Sequence, residues 1–346
     1  MTTIETQPAK KETFFHRIFS HFQLTWRLFW DKRITVWLKI FLIFLPLVYA
    51  LIPLPDDVVP FVGMLDDVLF VIVCTIIFNA ACPTVIKTEH KHLANAAIVG
   101  NNLRIDSLRY PTENRDLLIG FLILIVILLL GGYLAGLVGL LLFGVGYITS
   151  NIHRGSVLSN AVQVSERQLP NLYNCLQSAL GNLSPVNVKL FVTQNPAMNA
   201  YTFGYEEPYS IVLTSALVEK LNDGELQAVI GHELGHILFE HARLISLMSG
   251  MAGLNRLIFY QWSRSCEYSA DSVALLAAGS SLETVSSSLL KLSSGLTNIN
   301  IDMQAFLDQI DQESEKTASF AELGSTHPFI IHRIRRLKTI AEGLSS

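Results

Sequence analysis

Charge is scarce in this 346-residue sequence: 16% of its residues are Asp, Glu, Lys or Arg, while half are hydrophobic. An average soluble domain carries about 25% charged residues, so part of this chain is expected in or against lipid. The formal charge of -4 and the lack of any Lys/Arg tract exclude an electrostatic nucleic-acid footprint. Cysteine is also scarce. Cys74, Cys82, Cys175 and Cys266 are scattered, with neither a Cys-x-x-Cys pair nor a disulfide framework among them, which fits a reducing, cytoplasm-facing location. The first 33 residues lack a compact apolar segment followed by a small-residue cleavage site, so no cleavable signal peptide is expected. There is no internal repeat. The length suits one catalytic core plus a second module.

What is present begins with aromatic periodicity. Phe15, Phe19, Phe22, Trp26 and Trp30 recur at three- and four-residue spacing, with Arg17, His21 and Gln23 off that stripe. The spacing predicts an amphipathic helix within residues 1–33, and its aromatic face beside basic residues suits a bilayer surface. Two apolar runs follow, within 34–54 and 68–81, each near the lower limit of about 17–25 residues for a membrane span. Between them Tyr49, Pro53, Asp56, Pro60, Gly63, Asp66 and Asp67 form a pattern that resembles a small helical bacterial module of unknown function, DUF1232, over about residues 38–80. Its carboxylates read first as helix caps and interface residues, and second as oxygen ligands for a cation.

Residues 82–116 form a polar segment with five Lys/Arg, expected as a cytoplasmic loop, since the first 33 residues carry six more. Leu117 to Ile148 then runs 32 residues without a charge. One straight helix of that length would measure about 48 Å at 1.5 Å per residue, beyond a hydrocarbon core of about 30 Å. A transmembrane hairpin turning at Gly131-Gly132 resolves the excess; one long tilted helix is the alternative.

From about residue 155 the pattern is that of a soluble domain. A helix is expected over 156–180, a strand over Val186–Thr193, a turn through Asn195–Gly204 and a second strand over Tyr209–Thr214. Helices follow at about 215–221, 223–243, 252–278, 282–294 and 328–342. Asn222 and Glu225 have the spacing of a capping box at the start of the second of these.

That helix carries His232-Glu233-Leu234-Gly235-His236. Histidines four apart on a helix point the same way, so both imidazoles can reach one zinc ion at about 2.0–2.1 Å. Glu233 stands beside them, placed to take a proton from a zinc-activated water and pass it to the leaving amine. Zinc needs a third protein ligand that leaves one position open. Glu267 and Asp271 lie on one helix face, and a helix doubling back after His236 would bring Glu267 to the metal with Asp271 behind it.

With Asn199-Ala200 after the first strand, His232-Glu233-x-x-His236, Glu267-x-x-x-Asp271, Ser325-Thr326-His327-Pro328 and Arg333-Ile334, the chain resembles the M48 family of peptidases over about residues 155–342. That family includes the HtpX-like membrane proteases and the CAAX prenyl protease. The resemblance implies His232, His236 and Glu267 as zinc ligands, Glu233 as general base, Asp271 paired with Arg333, and His327 as a donor to the tetrahedral intermediate. It implies substrate contacts at Asn199 and Ala200, and substrate added as a strand along Tyr209–Thr214. The clear membrane segments precede the zinc helix here, unlike the HtpX-like pattern, and residues 244–262 are only weakly membrane-like.

The expected architecture is therefore α+β and mostly helical: a multi-helix membrane module (34–81 and 117–148) followed by a zincin-type, gluzincin-like peptidase domain (155–346) with a small β-sheet. The expected function is a zinc endopeptidase with one Zn²⁺ per chain, anchored in a bacterial inner membrane with its site in the cytoplasm. Its expected partners are the lipid bilayer and protein or peptide substrates, without nucleic acid. A membrane chaperone or scaffold that holds unfolded segments on the edge strand without cutting is the alternative.

Overall fold

The computed structural model describes residues 14–31, 33–40, 42–43, 71, 73–79, 81–82, 108–181, 183, 187–204, 207–248, 252–296, 302, 305–306, 325 and 327–345. The chain divides into two units between Asn95 and Ala96. In the first, α1 (Phe14–Trp30) forms at the expected aromatic periodicity. Leu28 joins Ile34, Phe78 and Cys82 in an apolar cluster. Beside it Asn79 Nδ2 donates to Thr25 Oγ1 at 2.8 Å, and Thr25 Oγ1 donates to the His21 carbonyl at 2.9 Å. Tyr49, Pro53, Asp56, Pro60, Gly63, Asp66 and Asp67, and with them the DUF1232-like pattern and residues 44–54 of the first apolar run, lie outside the described residues.

The second unit opens with α2 (Glu113–Asn160), an unbroken helix of 48 residues. The hairpin expected at Gly131-Gly132 is absent. Each glycine costs about 1 kcal/mol relative to alanine inside a helix, but no proline interrupts 113–160 to remove a backbone donor, and the helical ladder continues through both. The first turns of α2 pack on the second unit's core, Leu117 against Phe259, Trp262 and Cys266. The last turns pack there too, Val157 joining Phe191, Phe203 and Val212. Among the described residues no helix is long and apolar enough to cross a membrane, so the expected multi-helix membrane module finds no support in the fold. The side chains over most of 121–140 lie outside those residues.

After α2 come β1 (Val162–Gln163), α3 (Pro170–Gly181), β2 (Val188–Thr193), β3 (Ala200–Phe203) and β4 (Tyr209–Thr214), ordered β1-β2-β4-β3 in one sheet. β1 and β3 pair antiparallel to their neighbours, whereas β2 and β4 run parallel with Leu190 opposite Ile211. β4 is buried along its whole length, as befits a strand with both faces covered. Its alternate side chains divide between two layers. Ile211 and Leu213 face a core shared with Leu172, Leu176, Ile230 and Leu234, while Val212 faces Val157 of α2. This overturns one expectation: Tyr209–Thr214 is an interior strand, and the edge belongs to β3, which the turn residues around Asn195-Pro196 concealed.

The helical half comprises α4 (Ser215–Lys220), α5 (Asp223–Leu238), α6 (His241–Met248), α7 (Ala252–Ala277), α8 (Leu282–Ser294) and α9 (Ile330–Ser345). The capping box forms in full: Asn222 accepts from the Glu225 N–H at 2.9 Å, and Glu225 accepts from the Asn222 N–H at 3.0 Å. The single helix expected over 223–243 breaks after Phe239 because Glu240 takes a left-handed φ of 64°, which turns the chain so that His241 begins α6. All four cysteines are buried thiols outside any disulfide.

α5 packs on α7 closely enough that side chains are excluded from the seam. A Cβ on Gly231 would lie 2.3 Å from the Ala277 Cβ, and one on Gly235 only 2.8 Å from the Ala270 Cα. Gly235→Ala is therefore expected to destabilise the protein by about 1–3 kcal/mol through overpacking, seen as a lower Tm. Gly155→Ala, where an added Cβ meets nothing within 4 Å, serves as the control. Equal melting temperatures for the two variants would show that the helices separate without cost.

Candidate metal centre

Close approach of α5 and α7 sets two imidazoles against one carboxylate. The Nε2 atoms of His232 and His236 lie 3.2 Å apart, and each lies 3.5 Å from an oxygen of Glu267. A tetrahedral ion with ligands at about 2.0–2.1 Å requires ligand atoms about 3.3–3.4 Å from one another. The two 3.5 Å distances run to different Glu267 oxygens, Oε2 from His232 and Oε1 from His236, and one atom from each of the three residues lies within 4.8 Å of the others, a group that could hold a metal ion.

Charged groups brace this trio from behind. His232 Nδ1 sits 3.0 Å from Asp271 Oδ1, which leaves Nε2 as the nitrogen facing the other donors. Arg333 grips Asp271 with two bonds, Nε to Oδ2 at 2.8 Å and Nη2 to Oδ1 at 2.6 Å, and its Nη1 lies 3.3 Å from Glu267. Burial works against ionisation of Glu267, but the Arg333 charge and the two imidazoles hold its carboxyl well below the usual range. Burial would likewise lower His232, yet its bonds to Asp271 and Glu267 raise it to about 10. The pocket is built to hold positive charge between these carboxylates.

Glu233 points into the same cleft, of about 590 Å³, which is also lined by Asn199, Ala200, Thr202, Leu289 and His327. Thr202 Oγ1 donates to Glu233 Oε2 at 2.6 Å. Asn199 is tied to β4, its N–H donating to Thr214 Oγ1 at 2.9 Å and its carbonyl accepting from the Thr214 N–H at 3.0 Å. By the alternation of an antiparallel pair, Ala200 and Thr202 then direct their N–H and C=O groups to the open edge of β3. His327 is the most exposed of the group, 64% by side chain, with Nε2 3.5 Å from Glu267 Oε1. Its segment is anchored by Arg264, whose Nη1 donates to the Ser325 carbonyl at 3.1 Å.

The nine residues expected at the peptidase site, Asn199, Ala200, His232, Glu233, His236, Glu267, Asp271, His327 and Arg333, thus all line one cleft. Sequence reasoning missed Thr202, whose signal is its place two residues beyond Ala200, and His241, five residues beyond His236 and past the break in the helix. It also missed Glu113, which touches His241 across 128 residues of chain and has no local signal.

Two imidazoles and a carboxylate closing on one point, with a second carboxylate beside them, have the chemistry of a metallohydrolase centre. The model of peptidase family M48 matches residues 173–260 and 243–341. The chain is 30% identical over 267 residues to the plastoglobule-localized metallopeptidase 48, chloroplastic, of Arabidopsis thaliana, a match covering 68% of this chain and 72% of that protein. It is 30% identical to the protease HtpX homolog of Helicobacter pylori, covering 52% and 69%, and 26% identical to that of Pelotomaculum thermopropionicum, covering 62% and 94%. The chain belongs to peptidase family M48 and is a metallopeptidase.

Asp271→Asn should expose the cost of the buried ion network. Arg333 keeps its charge while losing its two-point partner, so metal-free protein is expected to lose about 3–5 kcal/mol in urea unfolding. A loss below about 1 kcal/mol would mean that the guanidinium reaches water.

Proposed function

We propose that this metallopeptidase is a zinc endopeptidase that binds extended segments of membrane or membrane-proximal proteins along β3 and cleaves them at His232, His236 and Glu267. The observation that carries this reading is the convergence of those three donors on one point beside the edge of β3 with which no other described strand pairs. Zinc, when bound, lowers the pKa of water and polarises the scissile carbonyl.

The side chains do the rest. Glu233 accepts the proton of the attacking water and delivers it to the leaving amine. Thr202 engages one oxygen of Glu233 and thereby aims the other at the reaction. Asp271, backed by Arg333, holds the His232 ring in register. His327, at the cleft mouth, donates to the oxyanion as it develops, a contact that grows in the transition state. The N–H and C=O groups of Ala200 and Thr202 pair with the substrate backbone, which gives affinity with little dependence on sequence.

The low charge content and the charge-free run within α2 support action at a bacterial inner membrane. The basic residues Arg109 and Arg115 around the start of α2 belong to the same unit as the active site. By the positive-inside rule that unit is read as cytoplasmic.

One experiment tests the chemistry. Wild type, Glu233→Gln and Thr202→Val, purified as full chains, should each hold about one zinc per chain. Glu233→Gln should lose kcat by orders of magnitude and Thr202→Val by about tenfold. Zinc loss in Glu233→Gln would make Glu233 a ligand, and substantial residual turnover would require another base.

A further inference from the structure

A second histidine stands behind His236. His236 Nδ1 lies 3.1 Å from His241 Nδ1, and His241 Nε2 lies 3.0 Å from Glu113 Oε1. His241 and Glu113 are each 1% exposed. Glu113 is held in turn by the Arg109 guanidinium on the same oxygen and by the Ser269 hydroxyl on the other. Burial pushes the Glu113 carboxyl up, but the hydrogen bonds from His241 and Ser269 and the Arg109 charge hold it below its usual range, as an ionised carboxylate.

An ionised carboxylate only accepts hydrogen bonds, and this fixes the protons along the chain. His241 Nε2 must donate to Glu113, which in a neutral imidazole leaves Nδ1 as an acceptor. That acceptor takes the proton of His236 Nδ1. The Nε2 of His236 is then a bare lone pair, directed at His232 and Glu267. The tautomer of a proposed metal ligand on α5 is thus dictated from the first turn of α2.

We propose that His241 and Glu113 are positioning residues for the metal centre, fixing the ring and tautomer of His236 and so setting zinc affinity. This rests on the reading of His232, His236 and Glu267 as zinc ligands. Glu113, His241 and Cys266 are close enough to hold an ion themselves, but their chemistry opposes it. Arg109 and His241 already share the Glu113 oxygen that an ion would need, and the Arg109 guanidinium puts a positive charge where a cation would sit.

Zinc affinity of the full chain, measured by competition with a chromogenic chelator, tests the relay directly, with thermal melting of the metal-free form as the control for folding. His241→Phe removes both hydrogen bonds and should weaken zinc binding about 10–100-fold. His241→Gln accepts through its oxygen and donates through its nitrogen, and should stay within about threefold of wild type. Should His241→Phe not fold, His241→Asn, too short to span both partners, decides in its place. Wild-type affinity in a folded Phe or Asn variant would overturn the relay while leaving the zinc site intact. A wild-type chain that binds no zinc would instead overturn the reading beneath it.

Discussion

The seam between α5 and α7 is the constraint on which the rest of this enzyme depends. Gly231 and Gly235 lie against Ala277 and Ala270 with no room for a Cβ on the α5 side. Larger residues there would separate the helices, and the Nε2 atoms of His232 and His236 would no longer lie 3.5 Å from Glu267. A metal centre of this geometry is thus a consequence of backbone proximity as much as of ligand identity. The glycine inside the zinc motif has a packing reason independent of the chemistry.

Around that seam, buried charge is arranged in alternation rather than avoided. Arg333 lies between Asp271 and Glu267, and Arg109 backs Glu113. Each ionised group would be costly alone, and each is offset by a partner within hydrogen-bonding reach. Both imidazoles that face the open position are held from behind, His232 by Asp271 and His236 by His241. The proposed ligand atoms are therefore pre-aimed, which would limit the reorganisation that metal binding demands.

Local rules made the chemical centre readable in the sequence. Helical spacing alone places His232 beside His236 and Glu267 on the face of Asp271, and the Asn222–Glu225 capping box marks where α5 begins. The resemblance to the M48 peptidases carried Arg333 and His327, which no local pattern would have joined to the site. What escaped was decided by distance or by competing signals. Gly131-Gly132 looked like a turn, yet glycine only weakens a helix and nothing there ends one. β3 is four residues long and follows Asn195-Pro196, so turn chemistry masked the strand and shifted the expected edge to Tyr209–Thr214. Strand order and the Glu113–His241 contact are non-local, and no periodicity encodes them.

The central claim is that one zinc ion sits among His232, His236 and Glu267 rather than in the group formed by Glu113, His241 and Cys266. Zinc K-edge X-ray absorption on the zinc-loaded full chain measures this directly, because the two donor sets differ in sulfur. The account predicts a shell of nitrogen and oxygen at about 2.0–2.2 Å with two imidazoles and no sulfur. A sulfur shell near 2.3 Å would place the metal on Cys266 and contradict it.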